Sequence, residues 1–152
     1  MLNSSAPTRI PGDILFIDHT LPVPLDHAQP EGPQISLFVR EAVRASKADD
    51  KEKKLPYLLF LQGGPGFGAG GVGTLDSGWR KAALDNHRVL LLDQRGTGRS
   101  TPASAESISA IGAAQAQADY LSHFRADAIV RDCELVRARL CGGAKLTLLG
   151  QS

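Results

Sequence analysis

Several features that would place the chain in a specialised class are scarce or missing. Its 152 residues hold 17 basic and 16 acidic side chains, so neither sign dominates as it would on a nucleic-acid-binding or membrane-binding surface. No apolar run approaches the length of a membrane span, and the N-terminus lacks the basic start and apolar core of a signal peptide. The sequence therefore predicts a cytoplasmic protein with no nucleic-acid or membrane partner.

Cysteine is scarce as well. Cys133 and Cys141 fall in or just after one predicted helix, too far apart along it for a disulfide, and no zinc-type spacing surrounds them. The Gly-Lys pair of a phosphate-binding P-loop is also missing. We expect two reduced thiols that pack beside the helix, no metal and no cofactor.

Glycine is what the sequence has in abundance, directly after one apolar run. Tyr57 to Leu61 is too short for a helix and ends in Gln62-Gly-Gly-Pro-Gly66, which is typical of a buried strand that runs into a tight loop. Glycine permits positive φ and lets backbone N–H groups approach a ligand oxygen, while Pro65 stiffens the loop. The segment predicts a cradle for a phosphate or for an oxyanion.

The rest of the chain alternates strand and helix signals. We expect residues 1–12 to form a tail and residues 13–152 to form one α/β domain, in which two antiparallel edge strands precede a mainly parallel sheet. A proline-rich turn from Leu21 should join the edge strands, and the charge run Lys47 to Lys54 should be a solvated loop. The predicted strands are 13–19, 34–41, 57–61, 87–93 and 145–149, and the predicted helices are 79–84 and 125–140.

Two chemistries compete for the glycine-rich loop. Gly66 to Gly71 satisfies G-x-G-x-x-G, and Asp93 closes the next strand, which outlines a dinucleotide-binding Rossmann fingerprint. Later glycines interrupt the helix that this fingerprint requires. Gly150-Gln-Ser152, at the end of a buried strand, is the first half of the nucleophile elbow G-x-S-x-G. That pattern places a serine and an anion cradle at one sheet edge and favours acyl transfer.

Longer motifs make the second interpretation specific. Gln62-Gly-Gly-Pro-Gly66 resembles the His-Gly-Gly-Pro-Gly loop of the prolyl aminopeptidase (proline iminopeptidase) family of α/β-hydrolases, with Gln62 in place of the usual histidine. Asp93-Gln-Arg-Gly-Thr-Gly-Arg-Ser100 is similar to that family's Asp-Gln-Arg-Gly-x-Gly-x-Ser turn. Pro24 to His27 and Phe124 to Asp132 resemble further segments of its longer members.

The resemblance implies a role for each matching residue. Ser152 would be the nucleophile, which attacks the carbonyl after an N-terminal residue, typically proline, of a peptide substrate and forms an acyl-enzyme. Gly64, with Gly63, would supply backbone N–H groups to the oxyanion hole. The residues expected to shape the turns near the site rather than to touch substrate are Gln62, Pro65, Gly66, Asp93, Arg95, Gly96 and Ser100.

The catalytic acid and base are not expected among these residues. In the α/β-hydrolase fold the chain order is serine, acid, histidine, so both would lie after Ser152, and the four histidines of the sequence would be surface or packing residues. We therefore expect residues 13–152 to be an incomplete hydrolase domain and the 152-residue chain to be an inactive fragment. An esterase or another α/β-hydrolase is the alternative, because the loop and elbow serve acyl transfer in general.

Overall fold

The computed structural model describes residues 1–49 and 54–152, so residues 50–53 of the predicted charged loop lie outside the described residues. The described chain contains seven strands and four α-helices, with one-turn 3-10 helices at Ala45–Lys47 and Val72–Thr74. The strands are β1 (Asn3–Ser4), β2 (Thr8–Ile10), β3 (Ile14–Pro24), β4 (Gln34–Arg44), β5 (Tyr57–Leu61), β6 (Arg88–Asp93) and β7 (Leu146–Gly150). The helices are α1 (Gly78–Leu84), α2 (Ala105–Ser109), α3 (Ala114–Ser122) and α4 (Ala126–Leu140).

The strands form one mixed sheet. Its order is β1-β3-β4-β6-β5-β7, with β2 also paired to β3. The strands β1 to β4 run antiparallel to their neighbours, whereas β5 is parallel to both β6 and β7. The predicted architecture, antiparallel strands that lead into a parallel α/β sheet, is confirmed. In the sheet β5 lies between β6 and β7, although both follow it in the sequence. The carboxyl ends of these three parallel strands therefore lie side by side.

The proline-rich segment was predicted as a turn from Leu21, but residues 21–24 extend β3 and the turn begins only at Leu25. Pro22 pairs with Ser36 of β4, whose backbone exchanges hydrogen bonds with Thr101 on its other side. The nitrogen of Pro22 therefore faces away from β4, where no ladder bond is lost. Leu21 and Val23 alternate with the prolines and are fully buried, which holds the strand in this register.

The segment expected to be a tail carries β1 and β2, both of which pair antiparallel with β3. Asn3 lies opposite Thr20, and Thr8 lies opposite Phe16. Ser4 also donates or accepts a 2.8 Å hydrogen bond with Nδ1 of His19. These contacts complete the antiparallel side of the sheet.

Alternate side chains of the central strands enter two separate cores. Leu58 and Phe60 of β5 pack with α1, on the face that also buries Leu84. Leu59 points to the opposite face, where it joins Ile129 and Val136 of α4. Because a helix packs on each face of β5 and β6, residues 58–60 and 89–92 can be apolar without interruption. The helices α1 and α4 thus pack on opposite faces of the sheet and leave the carboxyl ends of its parallel strands uncovered.

The stripe predicted for the last helix is the buried face of α4. Ile129, Cys133 and Val136 are buried in it, and Gly142 and Gly143, both with positive φ, follow its end. Cys133 and Cys141 are both free and buried. Burial raises the pKa of Cys133 to about 12 and that of Cys141 to about 11. Both thiols stay protonated and pack as small apolar side chains.

Candidate active site

Three chain segments meet at the carboxyl ends of the parallel strands. The backbone N–H of Gln151 donates to the carbonyl of Leu61 at 3.1 Å and so extends the pairing of β7 with β5. Gln94, just after β6, donates through Nε2 to the carbonyl of Gln62 at 2.6 Å. Leu61 and Gln62, where β5 passes into the glycine-rich loop, are therefore bonded to the segments that follow β7 and β6 respectively.

Gly63 lies directly against the turn that carries Ser152. A Cβ built on Gly63 would come within 2.0 Å of the Gln151 carbonyl oxygen and 2.6 Å of Ser152 Cβ, so only glycine fits. Ser152 is exposed and has φ of 73°, a left-handed conformation that is rare for a residue with a side chain. A left-handed serine directly after a parallel strand is the backbone conformation that a nucleophile elbow requires.

The middle of the loop faces open space. Gly64 has φ of 113°, and no atom lies within 4 Å of a Cβ built on Gly66. Phe67 is 76% exposed although it is a large apolar side chain. Pro65 is the one residue between Gly63 and Gly66 that has a side chain, so the loop presents mainly backbone near Ser152.

Asp93 joins the far end of this loop to the turn after β6. Its buried carboxylate accepts hydrogen bonds from the backbone N–H of Ala69 at 2.7 Å and of Arg99 at 2.8 Å. A Cβ on Gly98 would lie 2.2 Å from Asp93 Oδ2, and φ at Gly98 is 54°, so the turn closes on the carboxylate only with glycine there. The hydroxyl of Ser100 donates to the carbonyl of Asp93.

The side chain of Arg95 is fully buried in the protein interior. Its guanidinium makes a bidentate ion pair with Asp132 of α4, at 2.6 and 2.7 Å, and both side chains are at most 1% exposed. It also donates to the carbonyls of Leu25 and His123, and Nε2 of His27 lies 2.9 Å from both Arg95 Nη2 and Asp132 Oδ1. The two further segments that carried the family resemblance, 24–27 and 124–132, thus converge on Arg95.

Gly96 supports the same turn from the other side. Its φ is 85°, and a Cβ there would lie 2.9 Å from the ring of Phe124. The ring of Phe124 stacks at a tilt on Tyr120 of α3, with ring centroids 4.9 Å apart. The turn after β6 is therefore packed against the helices that follow it.

Two of the histidines lie in or beside other strands of the sheet. His19 is buried between Ser4 and Glu41, and His87 lies before β6, at the opposite end of the strand from Ser152. Burial acts to raise the pKa of the Glu41 carboxyl, but hydrogen bonds from His19 and Arg88 outweigh it and hold that pKa below its ordinary value.

Arg80 of α1 contacts the loop although no sequence signal singled it out. Its Nη2 donates to the carbonyl of Ala69 at 2.9 Å, and its guanidinium lies over the rings of Trp79, at 4.7 Å, and Phe60, at 5.4 Å. Burial lowers the pKa of this guanidinium. The sequence gives no indication of this contact, because Arg80 binds a backbone carbonyl and every residue has one.

Among residues 1–49 and 54–152, no helix is long and apolar enough to cross a bilayer. Within the same ranges, no three histidine, cysteine or carboxylate side chains converge as a metal site would require.

Comparison with known proteins identifies a matching family and two similar proteins. A family model described as the alpha/beta hydrolase fold matches residues 56–152. The chain is 55% identical over 135 residues to a proline iminopeptidase of Aeromonas sobria, which covers 88% of this chain and 31% of that protein. It is 43% identical over 131 residues to proline iminopeptidase aneH of Aspergillus aculeatus, which covers 86% of this chain and 28% of that protein. The chain thus spans about a third of the length of these curated relatives.

Proposed function

The chain belongs to the α/β-hydrolase fold family, and from this premise we propose that it is the nucleophile-bearing part of a serine hydrolase that removes N-terminal proline from peptides. Its resemblance to the prolyl aminopeptidase family is confirmed by both relatives. The proposal assigns Ser152 as the nucleophile and the backbone N–H groups of Gly63 and Gly64 as oxyanion donors.

One observation carries this assignment. The loop and the serine turn touch at Gly63, where a side chain would collide with Gln151 and Ser152. A hydroxyl and a run of exposed backbone amides therefore lie side by side at one sheet edge. Acyl transfer needs that juxtaposition, since the oxygen of the attacked carbonyl must reach N–H donors as it gains negative charge.

The proposed chemistry has two steps. The Ser152 hydroxyl oxygen attacks the carbonyl carbon of the first residue, and its proton passes to a general base. The amine of the second residue then leaves with that proton, and an ester to Ser152 remains. Water hydrolyses the ester, which releases the first residue and restores the hydroxyl. Gly63 and Gly64 would stabilise the tetrahedral oxyanion in both steps, and Asp93 and Arg95 would hold the turns without touching substrate.

We further propose that residues 1–152 do not hydrolyse peptides on their own. His19 is bound between Ser4 and Glu41, and His27 is bound to Asp132 and Arg95. Neither is placed to take a proton from Ser152. An unactivated serine retains only a small fraction of catalysis, because loss of one member of a catalytic triad costs several orders of magnitude in rate.

The test uses the full-length protein that carries these residues. A fluorophosphonate probe should label wild type and a Ser122→Ala control, whose lost hydroxyl bonds only a backbone carbonyl in α3, and should leave Ser152→Ala unlabelled. A proline arylamide should be cleaved faster than an alanine arylamide. Hydrolysis of p-nitrophenyl acetate with no cleavage of either arylamide would instead indicate an esterase, and labelling of Ser152→Ala would refute the assigned nucleophile.

A dinucleotide-binding function is disfavoured by the same region. Gly71 precedes a single 3-10 turn at Val72–Thr74, and α1 begins only at Gly78. The third glycine of the fingerprint therefore does not open a helix that packs on β5, as pyrophosphate binding requires. Binding of a nicotinamide cofactor with no serine labelling would reverse this conclusion.

A further inference from the structure

The glycine-rich loop has few means of holding its own shape. Between Gln62 and Ala69 it contains four glycines, at positions 63, 64, 66 and 68, which contribute no side-chain packing and have the widest backbone freedom of any residue. Its start is fixed by the bond between Gln94 and the Gln62 carbonyl. The amides proposed to bind the oxyanion follow directly, so their positions depend on a second fixed point further along the loop.

That second point is the buried residue Ala69. Its N–H donates to Asp93 at 2.7 Å, and its carbonyl accepts from Arg80 at 2.9 Å. Ala69 is 1% exposed, so a carbonyl that lost its donor there would be left without water to replace it. Two hydrogen bonds thus fix the loop at Ala69, one to Asp93 at the end of β6 and one to Arg80 of α1.

The aromatic side chains around Arg80 hold its guanidinium in position to bind the Ala69 carbonyl. Its planar guanidinium lies over Trp79 and Phe60, whose rings are 4.6 Å apart, and this stacking fixes the direction in which Nη2 points. Nε of Arg80 is buried and has no hydrogen-bond partner in the described part of the chain. A flexible ammonium on a lysine would lack the planar face that sets this geometry.

We infer that Arg80 is a positioning residue for catalysis: by holding the Ala69 carbonyl against α1, it sets the place of the oxyanion-binding amides at Gly63 and Gly64. This inference rests on the proposed function. Arg80 does not touch the reacting atoms and acts only through the loop. Its loss should therefore weaken stabilisation of the transition state while substrate binding in the ground state stays the same.

The experiment compares Arg80→Met, Arg80→Lys and Lys81→Met in the full-length protein with a proline arylamide as substrate. Methionine keeps apolar contact with the two rings but removes the donor, and Lys81 is the neighbouring cation of α1, paired at the surface with Asp76. Arg80→Met should lower kcat about 10- to 100-fold with KM within about twofold, less than the loss of a direct oxyanion donor. Arg80→Lys should recover part of kcat, and Lys81→Met should match wild type.

Each outcome decides the inference. A wild-type kcat in Arg80→Met, or an equal loss in Lys81→Met, overturns it and leaves the serine hydrolase proposal standing. A rise in KM with kcat unchanged overturns it as well, because that pattern belongs to substrate binding. If Arg80→Met does not fold, Arg80→Lys decides: a lowered kcat at unchanged KM supports the inference, and a wild-type kcat refutes it. Wild type that neither cleaves the arylamide nor reacts with fluorophosphonate refutes the proposed function itself.

Discussion

Replacement of Gly63 by alanine tests the contact on which the candidate site depends. The new Cβ would lie 2.0 Å from the Gln151 carbonyl oxygen, whereas ordinary van der Waals contact begins at 3.4 Å. The loop and the turn that carries Ser152 must therefore separate by roughly 1.4 Å. A misplacement of about 1 Å between reacting groups can cost about 100-fold in rate. Overpacking of this kind also costs about 1 to 3 kcal/mol of folding free energy.

Gly66→Ala is the matched control, because it lies three residues away in the same loop and has no atom within 4 Å of a built Cβ. In the full-length protein, Gly63→Ala should lower both kcat for a proline arylamide and the rate of fluorophosphonate labelling by about 100-fold, with Gly66→Ala within about twofold of wild type. Urea unfolding measures the stability difference. Wild-type kinetics in Gly63→Ala, or equal losses in the two variants, would refute the argument that this contact places the serine.

Three further outcomes are expected. Asp132→Asn should cost about 3 kcal/mol in free energy of unfolding, measured with urea, because it leaves the buried guanidinium of Arg95 without its counter-charge. Replacement of the exposed Glu134 by glutamine should change that free energy far less, and equal costs would contradict the argument. Glu41 has a folded-state pKa below its ordinary value of 4.5, so its stabilising effect is present above that pH and is lost as the pH falls through the folded-state pKa. Glu41→Gln should therefore differ most from wild type at neutral pH, and the difference in urea midpoint should shrink below pH 4.5; a difference that grows with acidification would reverse the sign. Cys133 should resist iodoacetamide at pH 8 until the protein is unfolded, since burial raises its pKa to about 12, and rapid alkylation of the native protein would show that its helix opens.

Much of the fold was predictable because the spacing of apolar residues in a segment indicates whether it is a strand or a helix and which face is buried. The apolar runs at β5 and β6 are buried strands, as their pattern predicted, and the stripe at Ile129, Cys133 and Val136 is the inner face of a helix. The similar run at β7 was also predicted to be a buried strand, and this was wrong: β7 lies at the end of the sheet, paired with β5 alone, and Leu148 is 64% exposed. The prolines after Leu21 misled prediction. Whether a proline ends a strand depends on which side its missing N–H faces, and that is fixed by the pairing partner rather than by the local sequence.

The candidate site likewise has features that the sequence predicted and features that it did not. Sequence alone determined that a glycine-rich loop and a Gly-x-Ser turn each follow an apolar strand, because glycine content and apolar runs are local properties of the chain. Only the tertiary structure decided that Gly63 touches the Ser152 turn, that Asp93 and Arg80 bind the same residue, Ala69, and that Arg95 is paired with Asp132. The physical reason is that these contacts join residues distant in sequence, several of them through backbone atoms that every residue has. Which pairs meet is set by strand order and helix packing.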